Sequence, residues 1–177
     1  MADGPAAGMG DTEFRTGLFA VLPHLRAFAR GLCGSADQAD DLAQEAVVKA
    51  WAARARFEPG TSLRAWTFTI LRNHFLNERR KAGREVPWDA QLAERTLIEP
   101  ARQEEGLHLS DLERALLRLP AERREALLLV GAGGFSYEEA AAICHVATGT
   151  MKSRVARGRA ALSAIMNSGS PAALRAE

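Results

Sequence analysis

"FSYEEAAAICHVATGTMKSRVARGRAAL", residues 135–162, is the segment from which the architecture of this chain is predicted. SYEE at its start has the form of a capping box, in which Ser136 and Glu139 each bond the backbone N–H of the other. A helix is therefore expected to run from there to about Cys144. After the short connection HVA, Thr148 is expected to cap a second helix. Two helices joined by about three residues are typical of a helix-turn-helix, a motif that favours duplex DNA binding.

The second helix of this pair separates its side chains into faces on a helical wheel at ~100° per residue. The apolar arc predicts the face turned to the core, and it consists of Met151, Val155, Leu162, Ile165 and Met166, near which the helix is expected to end. The opposite face carries small side chains, and it consists of Gly149, Thr150, Ser153, Ala156 and Ala160.

A slim outer face lets a helix backbone approach base edges in a major groove, while flanking cations reach the phosphates on both walls. We therefore predict that Ser153 and Arg157 contact bases. The cations predicted to contact phosphates are Lys152, Arg154 and Arg159. An amphipathic surface helix whose charges are merely solvated is the alternative.

Helical periodicity also dominates the first half of the chain, and no segment alternates convincingly like a strand. Residues 14–32 predict a helix bent near Pro23 and stopped by Gly31 and Gly34. A second capping-box pattern, SADQ at residues 35–38, predicts a helix over about residues 36–54. Ser62 is expected to cap a third long helix that ends near Lys81 and Gly83.

The predicted fold class is all-α, with two small helical domains joined by a flexible acidic linker. The first is a three- to four-helix bundle. The second has four helices, because residues 107–119 and 121–130 predict two helices ahead of the helix-turn-helix. The predicted ranges are a disordered leader (1–12), a first domain (13–84), a linker (85–106), a second domain (107–166) and a disordered tail (167–177).

Composition argues against several classes of protein. No apolar run approaches the ~20 residues of a membrane helix, and the first dozen residues lack a signal-peptide pattern. We therefore expect no membrane association and a cytoplasmic location. Two distant cysteines, Cys33 and Cys144, fit a reducing compartment better than a disulfide scaffold. The four histidines are scattered, and no pattern indicates an enzyme, a cofactor or a metal site.

Charge is arranged in blocks although the formal net charge is only +1. Residues 62–84 hold six cations and one anion, whereas residues 85–106 hold six anions and two cations. The last predicted helix is basic again. Blocks of alternating sign indicate several partners of different charge.

The segment ADQADDLAQEAVVKAWAA, residues 36–53, predicts an amphipathic helix with an acidic outer face. Its exposed set is Asp37, Asp40, Asp41 and Gln44, with Glu45 at the edge and Val48 among them. An apolar side chain within an acidic face suits docking onto a basic protein surface. Metal binding is a weak alternative, because no histidine is nearby. The other alternative is that the carboxylates of the first two turns only stabilise the helix through its dipole.

The segment SLRAWTFTILRNHFLNERRK, residues 62–81, predicts a helix that is apolar on two sides and therefore lies between neighbours. A strip between the two sides holds Thr69, Arg72, Asn73, Leu76 and Arg80. Asn73 has both a donor and an acceptor for a base edge, and the basic end of the helix supplies charge for phosphates. Aromatic rings among cations also suit unpaired bases. The alternative is that these aromatic side chains lie in the hydrophobic core, and we expect this for most of them.

In this order, these segments resemble a bacterial sigma factor of the extracytoplasmic-function group over about residues 14–166. DQADDLAQEAVVKAW resembles the helix that docks on the β′ clamp helices of RNA polymerase. The resemblance implies core-polymerase contacts at Asp37, Asp40, Asp41, Gln44, Glu45 and Val48. It implies contacts to the −10 promoter element at Arg72, Asn73, Asn77, Arg79, Arg80 and Lys81. The family's base-reading positions for the −35 element fall at Lys152, Ser153, Ala156 and Arg157. Together with the residues from the helical wheel, the predicted −35 contacts are Thr150, Lys152, Ser153, Arg154, Ala156, Arg157 and Arg159.

Three further segments, PHLRAFARGLCG, FEPGTSLRAW and LLLVGAGGFSYEEAA, are similar to the general stress response sigma factors of alphaproteobacteria. This resemblance implies transcription initiation from stress promoters, control by a small anti-sigma factor, and release by a response regulator that mimics sigma. The implied partners are the polymerase core through its β′ clamp helices and β flap, promoter DNA and the anti-sigma factor. The free chain is expected to be a monomer.

One departure from the family lies in the turn CHVATG, where a proline or glycine is usual and this chain has His145. Two other functions are considered. A helix-turn-helix regulator would need a sensor or dimerisation segment, and none is evident. A sigma-like mimic that only titrates an anti-sigma factor should lack the basic residues of the last helix, which are present.

Overall fold

The computed structural model describes residues 9–85 and 111–168. The α-helices of these ranges are α1 (Asp11–Cys33), α2 (Ala36–Ala52), α3 (Leu63–Glu85), α4 (Asp111–Leu117), α5 (Ala121–Leu127), α6 (Tyr137–Cys144) and α7 (Thr148–Ser168). A 3-10 turn at Arg54–Arg56 follows α2, and a π-helical turn at Leu128–Ala132 follows α5. No strand occurs in the two described ranges, and the predicted all-α class is confirmed.

Helix ends extend into segments that the sequence patterns placed outside the domains. α1 begins at Asp11, so Asp11 and Thr12 are helical and do not belong to the predicted leader. Acidic residues in this first turn favour the early start, because they face the positive end of the helix dipole. α7 ends at Ser168, two residues inside the predicted tail, and α3 includes Glu85, the first residue of the predicted linker. Residues 1–8, 86–110 and 169–177 lie outside the described ranges.

α1 and α2 form an antiparallel pair whose close approach depends on small side chains. The buried face of α2 consists of Ala39, Ala43, Ala46 and Ala50. α1 is one helix that contains Pro23 and passes Gly31, and it ends where Gly34 adopts φ 78° and donates its N–H to the Arg30 carbonyl at 2.8 Å. At Ser35 the structure shows one half of the predicted box, since the Gln38 N–H donates to Ser35 Oγ at 3.4 Å.

α3 lies between neighbours, as its two apolar sides predict. The Ala65 N–H donates to Ser62 Oγ at 3.1 Å, which confirms Ser62 as the cap. On one side, Trp66 packs at 6.0 Å from the ring of Phe14 in α1, measured between ring centroids. On the other side, Phe68 is buried and lies 5.0 Å from the ring of Phe28. Most of the aromatic side chains of α3 therefore belong to the core and are not surfaces for stacking bases.

The second domain begins with two short helices and a π-helical turn. The described part of α4 starts at Asp111, and residues 107–110 of the predicted helix lie outside the described ranges. α5 was expected to reach Val130, but its α-helical hydrogen bonding ends at Leu127, where the π-helical turn begins. Gly134 then reverses the chain with φ 65°.

The predicted helix-turn-helix is present, with one capping residue revised. Ser136 and Glu139 form the full capping box, since the Glu139 N–H donates to Ser136 Oγ at 3.1 Å and the Ser136 N–H donates to Glu139 Oε2 at 2.8 Å. Thr148 is not the cap of α7 but its first helical residue, because the Met151 N–H bonds the carbonyl of Ala147.

The turn between α6 and α7 is made by His145, which has φ 54° and ψ 46°. This left-handed conformation is the one that glycine adopts at low cost after a helix C-terminus. Within the described ranges, His145 is the one residue other than glycine with a positive φ. The departure from the family pattern at this position therefore coincides with backbone strain.

Among the described helices, none is both long enough and apolar enough to cross a lipid bilayer.

Replacing His145 with glycine is expected to stabilise the second domain. An L-residue in the left-handed region costs roughly 1 kcal/mol more than glycine, which has no β-carbon to clash with the carbonyl. Thermal unfolding followed by circular dichroism should shift upward by a few degrees. His145→Ala is the control, because it keeps the β-carbon and thus the strain. An equal gain in the alanine variant would attribute the effect to loss of the imidazole and contradict the explanation.

Candidate nucleic-acid interface

The outer surface of α7 presents the residues predicted to face a DNA groove. Thr150, Lys152, Ala156, Arg157 and Arg159 are exposed, and Ser153 is half-buried. Buried Met151 and Val155 anchor the opposite face against the second domain. The wheel was wrong for Met166, which is 38% exposed. Leu162 and Ile165 are partly buried and pack against the same core, so the rest of the predicted core face is confirmed.

Gly158 contributes to this anchoring and was not among the predicted residues. It is buried, and a β-carbon placed there would lie 3.0 Å from Cγ of Leu127 in α5. A glycine between two arginines in a basic helix was the sequence signal for a close helix crossing, since glycine otherwise weakens a helix interior. The absence of a side chain brings α5 and α7 together on the side away from the outer face.

Arg154 forms an ion pair inside the second domain. Its guanidinium pairs with Glu122 at 2.8 Å, and its side chain is only 18% exposed. Glu122 lies in the first turn of α5, so this ion pair ties α7 to α5. The phosphate contact of Arg154 stays a prediction, and in this structure its charge is paired within the domain.

Ser153 and Lys152 each have an internal contact that defines what they can offer to DNA. Ser153 Oγ donates to the Thr150 carbonyl at 2.9 Å, so its oxygen remains available as an acceptor. In a major groove, acceptors match the amino groups of adenine and cytosine. Lys152 Nζ lies 5.8 Å from the centroid of the Tyr137 ring, a cation–π distance that steadies the lysine at the edge of the face.

The exposed part of α3 forms a second basic surface. Asn73, Asn77, Arg79, Arg80 and Lys81 are all exposed. A concavity of about 490 Å³ is lined by Lys49, Ile70, Asn73, His74, Asn77, Glu78 and Lys81. It combines one apolar side chain, Ile70, with amide groups that can hydrogen-bond a base edge, and it is open to solvent.

Two hydrogen bonds connect side chains of this basic surface, and one of them changes its charge. Lys81 Nζ donates to Glu78 Oε1 at 2.9 Å, and this hydrogen bond, with the attraction of the two charges, lowers the pKa of the Glu78 carboxyl. Arg80 donates to Asn77 Oδ1 at 3.4 Å. Glu78 was not predicted as part of the site. Its carboxylate partly neutralises Lys81 at the rim of the concavity.

Arg72 is not part of the exposed surface, contrary to its prediction as a −10 contact. Its Nε donates to Glu125 Oε1 at 2.6 Å and a terminal nitrogen donates to Oε2 at 3.3 Å. The two side chains are only 12% and 9% exposed. Burial lowers the pKa of Arg72 most strongly, but the hydrogen bond and charge of Glu125 outweigh it, so the pKa ends above its ordinary value. A helical wheel of α3 alone does not predict that Arg72 pairs with a residue of the second domain.

The acidic outer face of α2 is exposed as predicted. The exposed set is Asp37, Asp40, Asp41, Gln44, Glu45 and Val48, and Val48 is 61% exposed. Asp40 pairs with Arg26 of α1 at 3.1 Å, and Glu45 lies 3.6 Å from Lys49. Asp37, Asp41 and Gln44 lie on the same face, so the surface is acidic around an apolar centre.

Phe19 of α1 is a further exposed apolar side chain, 66% exposed, that the predictions did not include. It lies two helical turns before Arg26 and on the same side of α1. Arg26 contacts Asp40, and α2 runs antiparallel to α1, so Phe19 and Val48 lie toward the same end of the pair. The sequence signal was that Phe19 lies outside the periodic apolar positions that form the buried face of α1.

Within residues 9–85 and 111–168, no group of three or more histidine, cysteine or acidic side chains is arranged to hold a metal ion.

Comparison with known families identifies the class of protein that this fold and these surfaces define. Residues 19–85 match Sigma-70 region 2, and residues 109–162 match Sigma-70 region 4. The chain is 50% identical over 154 residues to the ECF RNA polymerase sigma factor EcfG of Rhodopseudomonas palustris (strain TIE-1), an alignment that covers 87% of this chain and 85% of that protein. The chain therefore belongs to the extracytoplasmic-function sigma factors of the sigma-70 family.

Solved structures agree with this assignment. The sigma factor RpoE of Bartonella quintana, solved in complex with the anti-sigma factor NepR, is 45% identical with a TM-score of 0.75, and the match covers 90% of this chain and 99% of that one. CnrH, solved with the cytosolic domain of CnrY, is 27% identical with a TM-score of 0.67, covering 91% and 92% of the two chains.

Replacing Glu122 with alanine is expected to increase the affinity of α7 for duplex DNA. The substitution removes an anion beside the DNA-facing helix and releases Arg154 to reach a phosphate. One additional phosphate contact should steepen the dependence of log K on log salt by roughly 0.9. Fluorescence anisotropy with a labelled duplex at several salt concentrations measures both quantities. Glu13→Ala in α1 is the matched control. An increase in DNA affinity of the same size in that variant would mean that the change in net charge alone explains the effect.

Proposed function

We propose that this chain directs RNA polymerase to promoters by binding the core enzyme and two DNA elements. α2 binds the core enzyme through its acidic face, the exposed end of α3 binds the opened −10 element, and the outer face of α7 binds the −35 element as duplex. The observation that carries the proposal is the outer face of α7. The centre of this face carries small side chains with exposed cations beside them, and the opposite face is anchored by buried Met151 and Val155. This geometry suits a major groove.

Binding at the −35 element divides into two kinds of contact. Arg157 is exposed next to Ala156, so its guanidinium can hydrogen-bond two acceptors of one guanine. Lys152 and Arg159 lie at the flanks and neutralise phosphates, which gives affinity that depends on salt. With Arg154 paired to Glu122, the electrostatic contribution of the helix comes from the remaining three cations.

Binding at the −10 element requires an unpaired strand. Extruding a base costs a few kcal/mol of stacking, and a site that holds the extruded base offsets that cost. Asn73 in the concavity of α3 supplies a donor and an acceptor for such a base. Arg79, Arg80 and Lys81 follow along the exposed end of α3 and lie where they can contact the backbone of the same strand.

Binding to the core enzyme relies on the acidic face of α2. This chain would dock that face on a basic surface of the polymerase, the β′ clamp helices, with the second domain on the β flap. Val48 supplies an apolar contact within a charged rim, and Phe19 extends that contact onto α1. The acidic stretch within residues 85–106 is proposed to stand in for nucleic acid near the active site until RNA displaces it.

Control by a small anti-sigma factor is part of the proposal. Two similar sigma factors were solved bound to anti-sigma proteins, NepR in one case and the cytosolic domain of CnrY in the other. The similarity to EcfG supports a role in the general stress response. The exposed cations of α7 favour a DNA-binding sigma factor over a mimic that only titrates its anti-sigma factor.

Substitution of Arg157 is expected to relax sequence preference, whereas substitution of Arg159 is expected to weaken binding to all sequences. Arg157→Ala should cost about 1–3 kcal/mol on a duplex that carries the −35 element and little on a scrambled duplex. Arg159→Ala should weaken both duplexes alike and reduce the salt slope by about 1. Binding isotherms on the two duplexes measure this contrast. Identical behaviour of the two variants would contradict the assigned orientation of α7.

Reversing the charge of the acidic face should weaken binding to the core enzyme. Asp40→Lys combined with Asp41→Lys places cations against a basic partner surface, and like charges across an interface cost several kcal/mol. We expect at least about a tenfold loss of affinity for core polymerase in a pull-down titration. Glu13→Lys with Glu58→Lys makes the same change in net charge elsewhere on the first domain. Unchanged affinity of the Asp40 and Asp41 variant would remove this face from the interface.

A further inference from the structure

Two cations of α7 are held by contacts that affect their charge differently. Arg154 pairs with Glu122 at 2.8 Å, so a carboxylate neutralises it. Lys152 instead places its Nζ 5.8 Å from the centroid of the Tyr137 ring. Within residues 9–85 and 111–168, Lys152 forms no ion pair. An aromatic face attracts a cation through its quadrupole and carries no net charge, so Lys152 is held without being neutralised.

The Tyr137 ring is fixed in place by the helix that carries it. Tyr137 is the first residue of α6, and the capping box of Ser136 and Glu139 fixes the backbone on either side of it. The ring is partly buried and packs against the hydrophobic core. Because α6 and α7 pack on each other, the ring keeps a constant position relative to α7.

The side of α7 on which the ring lies determines which part of a duplex Lys152 can reach. In a helix-turn-helix, the first helix crosses the DNA backbone while the second enters the groove. α6 is that first helix, so a lysine held against its first turn lies toward the wall of the groove and away from the base edges. The sequence alone left two roles for Lys152, a base contact and a phosphate contact. Its contact with Tyr137 favours the phosphate.

We propose that Tyr137 is a positioning residue that directs Lys152 to a phosphate at the wall of the −35 groove. The proposal rests on the proposed function, because it takes α7 as the helix that binds the −35 duplex. A free lysine loses rotamer freedom when it binds, and a lysine already steadied by a ring has less to lose. Cation–π attraction also strengthens when water is displaced from the contact, as it is when DNA covers Lys152.

The basic end of α3 shows what a carboxylate does in the same situation. Lys81 Nζ donates to Glu78 Oε1 at 2.9 Å, so a phosphate that approaches Lys81 has to compete with that carboxylate. The Tyr137 ring does not compete, because it attracts the ammonium from one side and leaves its N–H donors free for a phosphate on the other. α7 therefore gains a cation that is both positioned and available.

The contact is measured first without DNA, by NMR spectroscopy. Tyr137 is the one tyrosine of the chain and Lys152 is one of three lysines, so nuclear Overhauser effects between the two side chains can be assigned. The ring should shift the ε-methylene protons of Lys152 upfield in the parent chain and in Tyr137→Phe, which keeps an aromatic face. Tyr137→Leu should remove the shift. Its absence from the parent chain would overturn the proposal.

Binding to a duplex that carries the −35 element then tests the role of the ring. Tyr137→Leu should weaken binding about fivefold, because Lys152 keeps its charge but loses its position. Tyr137→Phe is the matched control and should bind like the parent chain. Equal weakening in the two variants would attribute the effect to the phenol hydroxyl and overturn the proposal.

Lys152→Ala identifies what the lysine contacts. A phosphate contact predicts equal weakening on the −35 duplex and on a scrambled duplex, with a salt slope reduced by about 1. A loss confined to the −35 duplex would make Lys152 a base contact and contradict the direction that we infer from the ring.

The double variant separates positioning from a structural role of Tyr137. In the Lys152→Ala background, Tyr137→Leu should cause no further loss of DNA affinity, because no lysine remains to be positioned. If Tyr137→Leu instead acts by destabilising α6, it lowers affinity equally in both backgrounds, and that result would overturn the proposal.

Failure of the proposed function has a different signature. In that case the parent chain would show no preference for the −35 duplex over the scrambled one, whereas the upfield shift of Lys152 and its loss in Tyr137→Leu would persist. That combination would overturn the DNA-binding role through its premise while confirming the contact between the two side chains.

Discussion

Phe68 holds the two domains of this sigma factor in one packed unit. Its ring lies 5.0 Å from Phe28 of α1 and 4.9 Å from Phe135 of the second domain, and it is almost completely buried. A ring of this size loses contact with water on both faces only when both domains are present, which makes domain contact favourable. The orientation of α3 follows from this packing, and so does the division of its other faces.

The same helix consequently contributes to the core and to the domain contact, and it also presents a basic end to solvent. Arg64, Phe68 and Arg72 face the second domain. Asn73 and Asn77 turn toward solvent. Closing the domains costs the desolvation of Arg72, and Glu125 compensates this cost through two hydrogen bonds.

A charged side chain on the surface of this protein can contact a partner most readily when it forms no ion pair within the protein. Of the cations predicted on α7, Arg154 is held by Glu122, whereas Lys152, Arg157 and Arg159 remain exposed. On α2, Asp40 has a partner in Arg26, yet the face as a whole stays acidic around Val48. The protein thus offers opposite charges to nucleic acid and to another protein despite a formal net charge of +1.

Patterns within single helices were sufficient to predict the helices, the capping box of Ser136 and Glu139, the buried anchors of α7 and the exposure of the α2 face. These features depend on residues at most a few turns apart, so the local sequence contains their cause. The partners of Arg72 and Arg154, the close packing at Gly31 and the left-handed turn at His145 were decided by tertiary structure. Each depends on a group that packing brings close from elsewhere in the chain, or on a backbone conformation that packing imposes. No helical wheel contains that information.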